Sequence, residues 1–191
     1  MKIVDPTIET VLCGSSLNSM DTFPEWEATV LDDAYEYADY ISLHQYFGGQ
    51  EKGTEQFLAQ ADELDEYICT VKSVIRYIKA KKKTEKPVNI SFDEWGVWTH
   101  ASSDTVKQTD EKRWETAPAI SEMIYSFEDS LLFAEMLMAF IRNADSVKIA
   151  CQALIANISS MIITEKGGGL WYQPTYYQFS AMSKYGKGII L

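Results

Sequence analysis

Apolar and polar positions alternate along this chain with two different periods, which predict strands and helices in turn. Short apolar or period-two runs predict four strands, at residues 10–14, 40–44, 88–92 and 146–151. Apolar residues spaced by three and four predict helices between them, at residues 25–37, 54–82 and from residue 126 onward. A regular order of strand and helix is typical of a parallel sheet whose crossovers are helical.

The predicted helices differ in how much of their surface is apolar. The first is expected to bury one stripe, which comprises Trp26, Val30, Ala34 and Tyr37. The second is expected to be continuous, with acidic residues at its start and lysines at its end, as the helix dipole favours. The third begins after Ser126, an approximate N-cap, and its apolar face is so wide that we expect it to be deeply buried.

Composition narrows the class of protein and of ligand. The chain has 191 residues, of which 46% are hydrophobic and 24% are charged, as in a soluble globular domain. Its net charge of −11 argues against nucleic acid as a partner and against binding acidic polysaccharides by charge, so a neutral ligand fits better. No apolar run approaches the roughly 20 residues that span a bilayer, and no basic start precedes an apolar segment. We therefore expect no membrane partner and a cytoplasmic location.

Cysteine and histidine are scarce and widely spaced. The three cysteines, Cys13, Cys69 and Cys151, are an odd number without metal-ligand spacing, and we expect buried free thiols. Two histidines leave little material for a zinc site. We therefore expect neither a metal nor an organic cofactor.

The strongest candidate for chemistry is the stretch 88–98, a short strand that ends on carboxylates and tryptophans. A carboxylate such as Glu94 at the carboxyl end of a buried strand occupies the usual catalytic position of a parallel α/β fold. Trp98 close by offers a flat apolar face that suits a sugar ring. The alternative is a salt-bridged acid at a strand end beside core tryptophans, and spacing alone does not decide between the two.

A second candidate lies at the end of the strand predicted at 40–44. His44 and Tyr46 are two residues apart, so both side chains point to the same side of an extended chain. Taken by itself, His44 would be interpreted as a core histidine whose hydrogen bonds are satisfied.

Both stretches resemble motifs of glycoside hydrolase family 51, the α-L-arabinofuranosidases. The run Ile-Ser-Phe-Asp-Glu-Trp that contains Glu94 resembles the family's nucleophile motif, and the run Ile-Ser-Leu-His-Gln-Tyr that ends at Tyr46 resembles its sixth barrel strand. The resemblance implies that Glu94 is the catalytic nucleophile and that Tyr46 contacts it. It also implies that His44 lines the sugar site and that Trp98 forms a wall of the pocket.

Two positions depart from the family pattern. Gly96 stands where the family usually has asparagine, a change that would alter a local hydrogen bond. Leu154 stands where the family commonly has a glutamine that reaches the sugar. Gln152, two residues earlier and on the same side of an extended strand, is a candidate replacement for substrate binding.

The resemblance also implies an α/β fold in which this chain supplies strands five to eight of a (β/α)8 TIM barrel. Residues 1–160 would form this partial barrel, and residues 161–191 would lead out of it toward a C-terminal β-sandwich, with a turn at the three adjacent glycines. The alternation alone would equally fit a small open doubly wound sheet. A half-barrel has an unpaired strand edge at each end, so we expect pairing with the complementary half or a homo-oligomer.

On this basis we expect a retaining glycoside hydrolase that releases terminal α-L-arabinofuranosyl residues from oligo- and polysaccharides. Such an enzyme needs a second carboxylate as general acid/base, which in this family follows an asparagine at the end of strand four. No Asn-Glu pair occurs in the chain, so we expect that residue to lie outside it. Two alternatives are another retaining barrel glycosidase, such as an endoglucanase or β-xylosidase, and a non-catalytic fragment.

The polar stretch 99–119 is expected to form a lid or rim.

Overall fold

The computed structural model describes residues 1–98, 116 and 122–189, so most of the expected lid lies outside the described residues. The strands are β1 (Val11–Leu12), β2 (Tyr40–Phe47), β3 (Asn89–Val97), β4 (Val147–Gln152), β5 (Ile162–Thr164) and β6 (Leu170–Tyr172). The helices are α1 (Glu25–Ala34), α2 (Thr54–Leu58), α3 (Gln60–Lys82), α4 (Phe127–Arg142) and α5 (Pro174–Tyr185), with 3₁₀ turns at Tyr35–Tyr37 and Gln50–Lys52.

Four strands form one sheet in the order β1-β2-β3-β4, which is also their order along the chain. Strands β1 and β2 are parallel, with Val11 opposite Tyr40 and Leu12 opposite Ile41. A helix lies in each connection between neighbouring strands, as parallel pairing requires. The predicted alternation of strand and helix is confirmed for these elements.

The chain folds into two compact units. The first comprises Met1–Gln45, Asp62–Trp95 and Phe140–Cys151. The second comprises Tyr46–Ala61, Gly96–Ala139 and Gln152–Leu191.

Aromatic side chains form the centre of the first unit. The ring of Phe92 packs 6.0 Å from that of Tyr67 and 5.0 Å from that of Phe140, measured between centroids. Trp95 also packs on Phe140, at 5.0 Å, and is fully buried. Burial of each such ring contributes roughly 1.5–3 kcal/mol to the stability of the folded state, so these contacts stabilise β3. Trp95 is therefore a core residue. For Trp95 this agrees with the alternative interpretation, in which the tryptophans near Glu94 belong to the core.

Helix α1 begins where the sequence predicts, but it buries a different stripe. Its residues that face the core are Glu27 and Leu31, and Tyr35 in the following 3₁₀ turn continues the stripe. Trp26 is 43% exposed, which contradicts the predicted stripe. The reason is polar: the Glu27 carboxylate accepts a hydrogen bond from the Ser15 N–H at 2.7 Å, and the Trp26 indole donates to the Cys13 carbonyl at 2.9 Å. With these two bonds, the buried stripe of the helix is shifted by about one residue from the stripe that apolar spacing indicates.

The long helix predicted over residues 54–82 is interrupted at Ala59, so it is two helices, α2 and α3. At the interruption the Gln60 side chain donates to the Phe57 carbonyl at 2.9 Å, which satisfies an acceptor near the end of α2. The apolar face of α3 is buried as predicted. It comprises Leu64, Ile68, Val71, Ile75 and Ile78.

Helix α4 has the predicted N-cap and most of the predicted burial. The Ser126 hydroxyl accepts from the Asp129 N–H at 3.2 Å, and the Asp129 carboxylate accepts from the Ser126 N–H at 2.7 Å. This reciprocal pair is a capping box with aspartate in place of glutamate. The wide apolar face is confirmed: Leu132, Phe133, Met136, Leu137 and Phe140 are all buried. Leu131 and Met138 are exposed, so the expectation of burial is wrong for that side of the helix.

The cysteines are free but exposed, which corrects the expectation of buried thiols. Cys13 follows the end of β1, and Cys151 lies on β4, the last strand of the sheet order. Cys69 lies on the outer side of α3, between the buried positions Ile68 and Val71. Apolar neighbours in sequence therefore do not bury these three side chains.

The tail forms an antiparallel hairpin followed by a helix. Strands β5 and β6 pair with Ile163 opposite Trp171, and the Gly168 N–H donates to the Glu165 carbonyl in the turn between them. Gly167 takes a left-handed backbone conformation there (φ +71°), so the predicted glycine turn is confirmed. Helix α5 was not predicted, although Pro174 at its start is a typical first-turn residue. Across the residues that the structure describes, no helix has the length and apolarity to span a membrane.

Candidate functional site

The predicted site residues fall in both units. His44 and Glu94 belong to the first, whereas Tyr46, Trp98 and Gln152 belong to the second. Strand β2 alternates regularly between half-buried and buried positions, and His44 and Tyr46 both lie on its half-buried face. Each group of residues is described within its own unit.

In the first unit, the imidazole of His44 lies between two consecutive carboxylates of β3. Its Nε2 is 3.0 Å from Asp93 Oδ1, and its Nδ1 is 3.6 Å from Glu94 Oε2. The side chain of Glu94 is 43% exposed, so solvent and a ligand can reach it. The structure thus brings the predicted nucleophile and the predicted histidine together.

Asp93 is held by hydroxyl groups as well as by the imidazole. The Ser42 hydroxyl donates to Asp93 Oδ1 at 2.6 Å, and the Ser91 hydroxyl donates to Oδ2 at 3.3 Å. Hydrogen bonds to a carboxylate are stronger than those between neutral groups, so Asp93 has a well-defined position. Asp93 and Ser42 were missed as site residues, although Ser42 is two residues before His44 and period two places it on the same face.

The main chain of His44 is fixed by the loop after β1. The His44 N–H donates to the Ser15 carbonyl at 3.2 Å, and the hydroxyl of buried Tyr67 donates to the same carbonyl at 2.9 Å. Burial raises the pKa of the Tyr67 phenol, and the nearby negative charge of Glu27 raises it further. The phenol therefore remains a neutral donor at ordinary pH.

In the second unit, Tyr46 and Trp98 pack edge to face, with ring centroids 5.6 Å apart. The Trp98 N–H donates to the Phe47 carbonyl at 2.6 Å, which joins the residue after β3 to the end of β2. Trp98 is 46% exposed. An exposed indole braced by a phenol ring can offer one apolar face to a ligand.

Gly96 lies against the ring of Tyr46. A Cβ atom at this position would be 3.3 Å from Tyr46 Cε1 and 3.9 Å from the Ala153 carbonyl oxygen. The side chain of an asparagine, the residue usual in the resembling family, would therefore press on the Tyr46 ring. Glycine at position 96 therefore fits the limited space beside the Tyr46 ring.

Gln152 is half-buried at the end of β4, and its amide group is already engaged. Its Nε2 donates to the Ala153 carbonyl at 2.6 Å and lies 3.3 Å from the Ser159 carbonyl. Its Oε1 is buried and has no hydrogen-bond partner among the described residues. Gln152 also lines a cavity of about 570 Å³ with Tyr176 and Lys184. Leu154, at the family's glutamine position, is 44% exposed.

The described residues show no cluster that could bind a metal ion. Within residues 1–98, 116 and 122–189, no three His, Cys, Asp or Glu side chains come together as a ligand set. The chemistry that the first unit can supply is that of a partly exposed carboxylate beside an imidazole.

A partly exposed carboxylate and an imidazole on neighbouring strands of a parallel sheet are typical of α/β enzymes. The model of the alpha-L-arabinofuranosidase C-terminal domain matches residues 93–191. The chain is 50% identical to an intracellular exo-alpha-(1->5)-L-arabinofuranosidase of Acetivibrio thermocellus, covering 100% of this chain and 38% of that protein. The chain is 46% identical to intracellular exo-alpha-(1->5)-L-arabinofuranosidase 1 of Bacillus subtilis, covering 98% of this chain and 37% of that protein.

A solved structure shows the same similarity in three dimensions. A family 51 alpha-L-arabinofuranosidase from Bifidobacterium longum superimposes with a TM-score of 0.88 at 29% identity, covering 98% of this chain and 39% of that one. The chain therefore belongs to the α-L-arabinofuranosidases of glycoside hydrolase family 51. It spans 38% of the length of its Acetivibrio relative.

Proposed function

We propose that this chain supplies the nucleophile half of a retaining glycoside hydrolase that releases terminal α-L-arabinofuranosyl residues from arabinose-containing oligo- and polysaccharides. The observation that carries the proposal is the pair formed by Glu94 and His44, with Glu94 Oε2 partly exposed and 3.6 Å from the imidazole Nδ1. Family membership supports the substrate class, because the relatives are named exo-arabinofuranosidases.

In this mechanism the Glu94 carboxylate attacks the anomeric carbon as the glycosidic bond breaks, and the general acid/base protonates the departing oxygen, which gives a covalent glycosyl-enzyme. Water, deprotonated by the same acid/base, then attacks the anomeric carbon, releases arabinose and frees the Glu94 carboxylate. His44 and Tyr46 orient the sugar and the nucleophile. Trp98 forms an apolar wall, a role that suits its exposed face. Gln152 is the weakest of these assignments in geometry, because its amide nitrogen already donates to main-chain carbonyls.

We infer that residues 1–160 are strands five to eight of a (β/α)8 barrel and that residues 161–191 lead toward a C-terminal β-sandwich. The sheet order supports the barrel over a doubly wound sheet. In a barrel, strands add in one direction, as β1-β2-β3-β4 do here. A doubly wound sheet reverses its strand order at a switch point.

The general acid/base of this mechanism would come from another part of the enzyme. Retaining glycosidases place their two carboxylates about 5–5.5 Å apart. The chain contains no Asn-Glu pair, and Asp93 is engaged with Ser42 and His44. Strands β1 and β4 end the sheet order, so their outer edges can pair with a complementary half or with another copy. A cytoplasmic location is proposed from the relatives' description as intracellular.

The proposal is tested by hydrolysis of aryl α-L-arabinofuranosides by the protein joined to the upstream half of a relative. We expect cleavage with the α-anomer of arabinose appearing first, and loss of cleavage in Glu94→Gln. The matched variant Glu63→Gln, at an exposed position of α3, should retain activity. First appearance of the β-anomer would exclude a retaining mechanism, and preferential cleavage of β-xylosides or β-glucosides would assign another glycosidase class.

A further inference from the structure

The loop after β1 lies directly against the two residues of β2 whose side chains face the carboxylates of β3. Those two residues are Ser42 and His44. A Cβ atom added to Gly14 would lie 2.1 Å from the Ser42 carbonyl oxygen, so the two main chains are in contact there. One residue further on, the Ser15 carbonyl accepts the His44 N–H at 3.2 Å. A shift of this loop would therefore shift the end of β2.

Glu27 on α1 holds the other side of the same loop. Its side chain is fully buried, and Oε1 accepts the Ser15 N–H at 2.7 Å. The Tyr67 hydroxyl donates to the Ser15 carbonyl at 2.9 Å, so the N–H and the carbonyl of Ser15 are both engaged. The bond from the Ser15 N–H to Glu27 is the shortest of the three that these two groups form with Glu27, Tyr67 and His44. Helix α1 is thus joined through Ser15 to the strand that carries His44.

Stability alone does not explain a carboxyl group at this position. Glu27 Oε2 is buried and has no hydrogen-bond partner among the described residues, and the same is true of the Ser15 hydroxyl. A buried polar atom without a partner lowers the stability of the folded state. The carboxyl group is therefore unfavourable at one oxygen, while its other oxygen fixes the main chain of the loop. An apolar side chain would fill the same space but could not accept the Ser15 N–H.

We propose that Glu27 is a positioning residue for the candidate site. By accepting the Ser15 N–H, it holds the loop after β1 against the end of β2 and so fixes where His44 lies relative to Glu94. This inference rests on the proposed function, since it concerns the geometry around the proposed nucleophile. Because Glu27 is fully buried, it acts through the main chain of Ser15 and does not touch the substrate.

A purely structural role for Glu27 makes a different prediction. If Glu27 only anchors α1, its removal lowers stability, and the molecules that stay folded keep an unchanged site. If it positions the site, its removal changes the site in the folded protein as well. Leu31 is the matched position, because it lies one turn later on the buried stripe of α1 and is 0% exposed. Leu31→Ala removes packing without removing a hydrogen bond.

The test measures how fast an activated 2-fluoro-arabinofuranosyl reagent labels Glu94 in the protein joined to the upstream half of a relative. Each variant is assayed at a temperature at which its unfolding curve shows it to be folded. We expect Glu27→Ala to lower the labelling rate roughly tenfold or more, because small displacements near a reacting group have effects of that size. Glu27→Gln retains an acceptor oxygen and should keep most of the rate. Leu31→Ala should label as fast as the unsubstituted protein.

A second readout needs no reagent. The amide-proton chemical shift of His44 reports the hydrogen bond to the Ser15 carbonyl, and it can be measured in the chain itself. We expect Glu27→Ala to move this signal toward the shift of a weaker hydrogen bond, whereas Leu31→Ala should leave it in place.

An unchanged labelling rate and an unchanged His44 amide signal in folded Glu27→Ala would overturn the proposal. An equal loss of labelling in Leu31→Ala would also overturn it, because the effect would then follow stability. Should Glu27→Ala not fold, Glu27→Leu replaces it, since leucine fills the space but accepts no hydrogen bond. Absence of labelling in the unsubstituted protein would instead refute the proposed function, and the His44 amide signal would still test the positioning by Glu27.

Discussion

At the scale of single residues, the site depends on close fits between neighbours. Gly96 has no side chain, and the ring of Tyr46 occupies the space that a Cβ atom would share. Glu27 is fully buried and accepts the Ser15 N–H, while the Ser15 carbonyl accepts the N–H of His44. A substitution at Gly96 should therefore disturb Tyr46, and a substitution at Glu27 should disturb His44.

The first prediction concerns Gly96→Ala. The added Cβ would lie 3.3 Å from Tyr46 Cε1, closer than ordinary van der Waals contact, so the ring must move by a few tenths of an ångström. We expect the free energy of unfolding to fall by about 1–3 kcal/mol, as for other overpacked sites. The control is Gly169→Ala, because nothing lies within 4 Å of a Cβ at that position. Equal unfolding free energies for the two variants in urea would contradict the close fit.

The second prediction concerns Glu27. Glu27→Ala leaves the buried Ser15 N–H without its acceptor, which costs about 1–3 kcal/mol. Glu27→Gln retains an acceptor oxygen and should lose less. Urea unfolding of both variants, beside Glu63→Ala on the exposed side of α3, measures the difference. If the alanine and glutamine variants lose the same amount, the hydrogen bond to Ser15 is not the cause.

Single-residue roles were only partly predictable from the sequence. Glu94 and His44 could be selected from motif and strand position, because both lie where a parallel sheet presents its side chains. The proximity of Asp93 to His44 could not, since adjacent strand residues are expected to point to opposite faces, yet both Asp93 and Glu94 lie within 4 Å of His44. The burial of Glu27 was equally hidden, because a charged residue is normally assigned to the outer face of a helix.

At the scale of elements, buried tyrosines tie loops to strands. In the second unit the Tyr125 hydroxyl donates to the Ser159 carbonyl at 3.0 Å and lies 3.2 Å from the Val97 carbonyl. Burial raises the pKa of this phenol, and the charge of Asp129 raises it further. Tyr67 in the first unit has a raised pKa for the same leading reason.

The third prediction is a loss of stability in alkali. The unfolded phenols ionise near their ordinary pKa of about 10, whereas the folded ones keep their protons to higher pH. The free energy of unfolding is therefore unaffected by these groups below about pH 10 and falls above it, by up to about 1.4 kcal/mol per pH unit for each group. Urea unfolding from about pH 8 to 11 measures this slope. Tyr125→Phe should reduce the slope and Tyr37→Phe, at an exposed position, should not; equal slopes would contradict the assignment.

Elements were predicted well where apolar periodicity decides them. The four strands of the sheet and the buried face of α3 follow the pattern. The interruption at Ala59 and the rotated face of α1 result from hydrogen bonds of Gln60 and Glu27, which periodicity does not detect. Helix α5 was missed because only Thr175 of its side chains is buried and the segment shows little apolar periodicity.

At the scale of the whole molecule, the chain has surfaces that suit contact with more polypeptide. Its Acetivibrio relative is longer, and the chain covers 38% of it. The second unit exposes large apolar side chains on β6 and α5, namely Leu170, Trp171, Tyr172 and Tyr177. Exposed apolar patches commonly mark interaction surfaces, which agrees with the proposed pairing of this chain with a complementary half.

The central claim is that Glu94 is the nucleophile, and covalent labelling tests it most directly. The measurement is intact mass after incubation with an activated 2-fluoro-arabinofuranosyl reagent, followed by peptide mapping. Its good leaving group needs little acid assistance, so the reagent reports on the nucleophile alone. We predict one adduct, on Glu94, that is absent in Glu94→Gln and present in Glu63→Gln. An adduct on another carboxylate, or no adduct even when the upstream half of a relative is joined to the chain, would contradict the account.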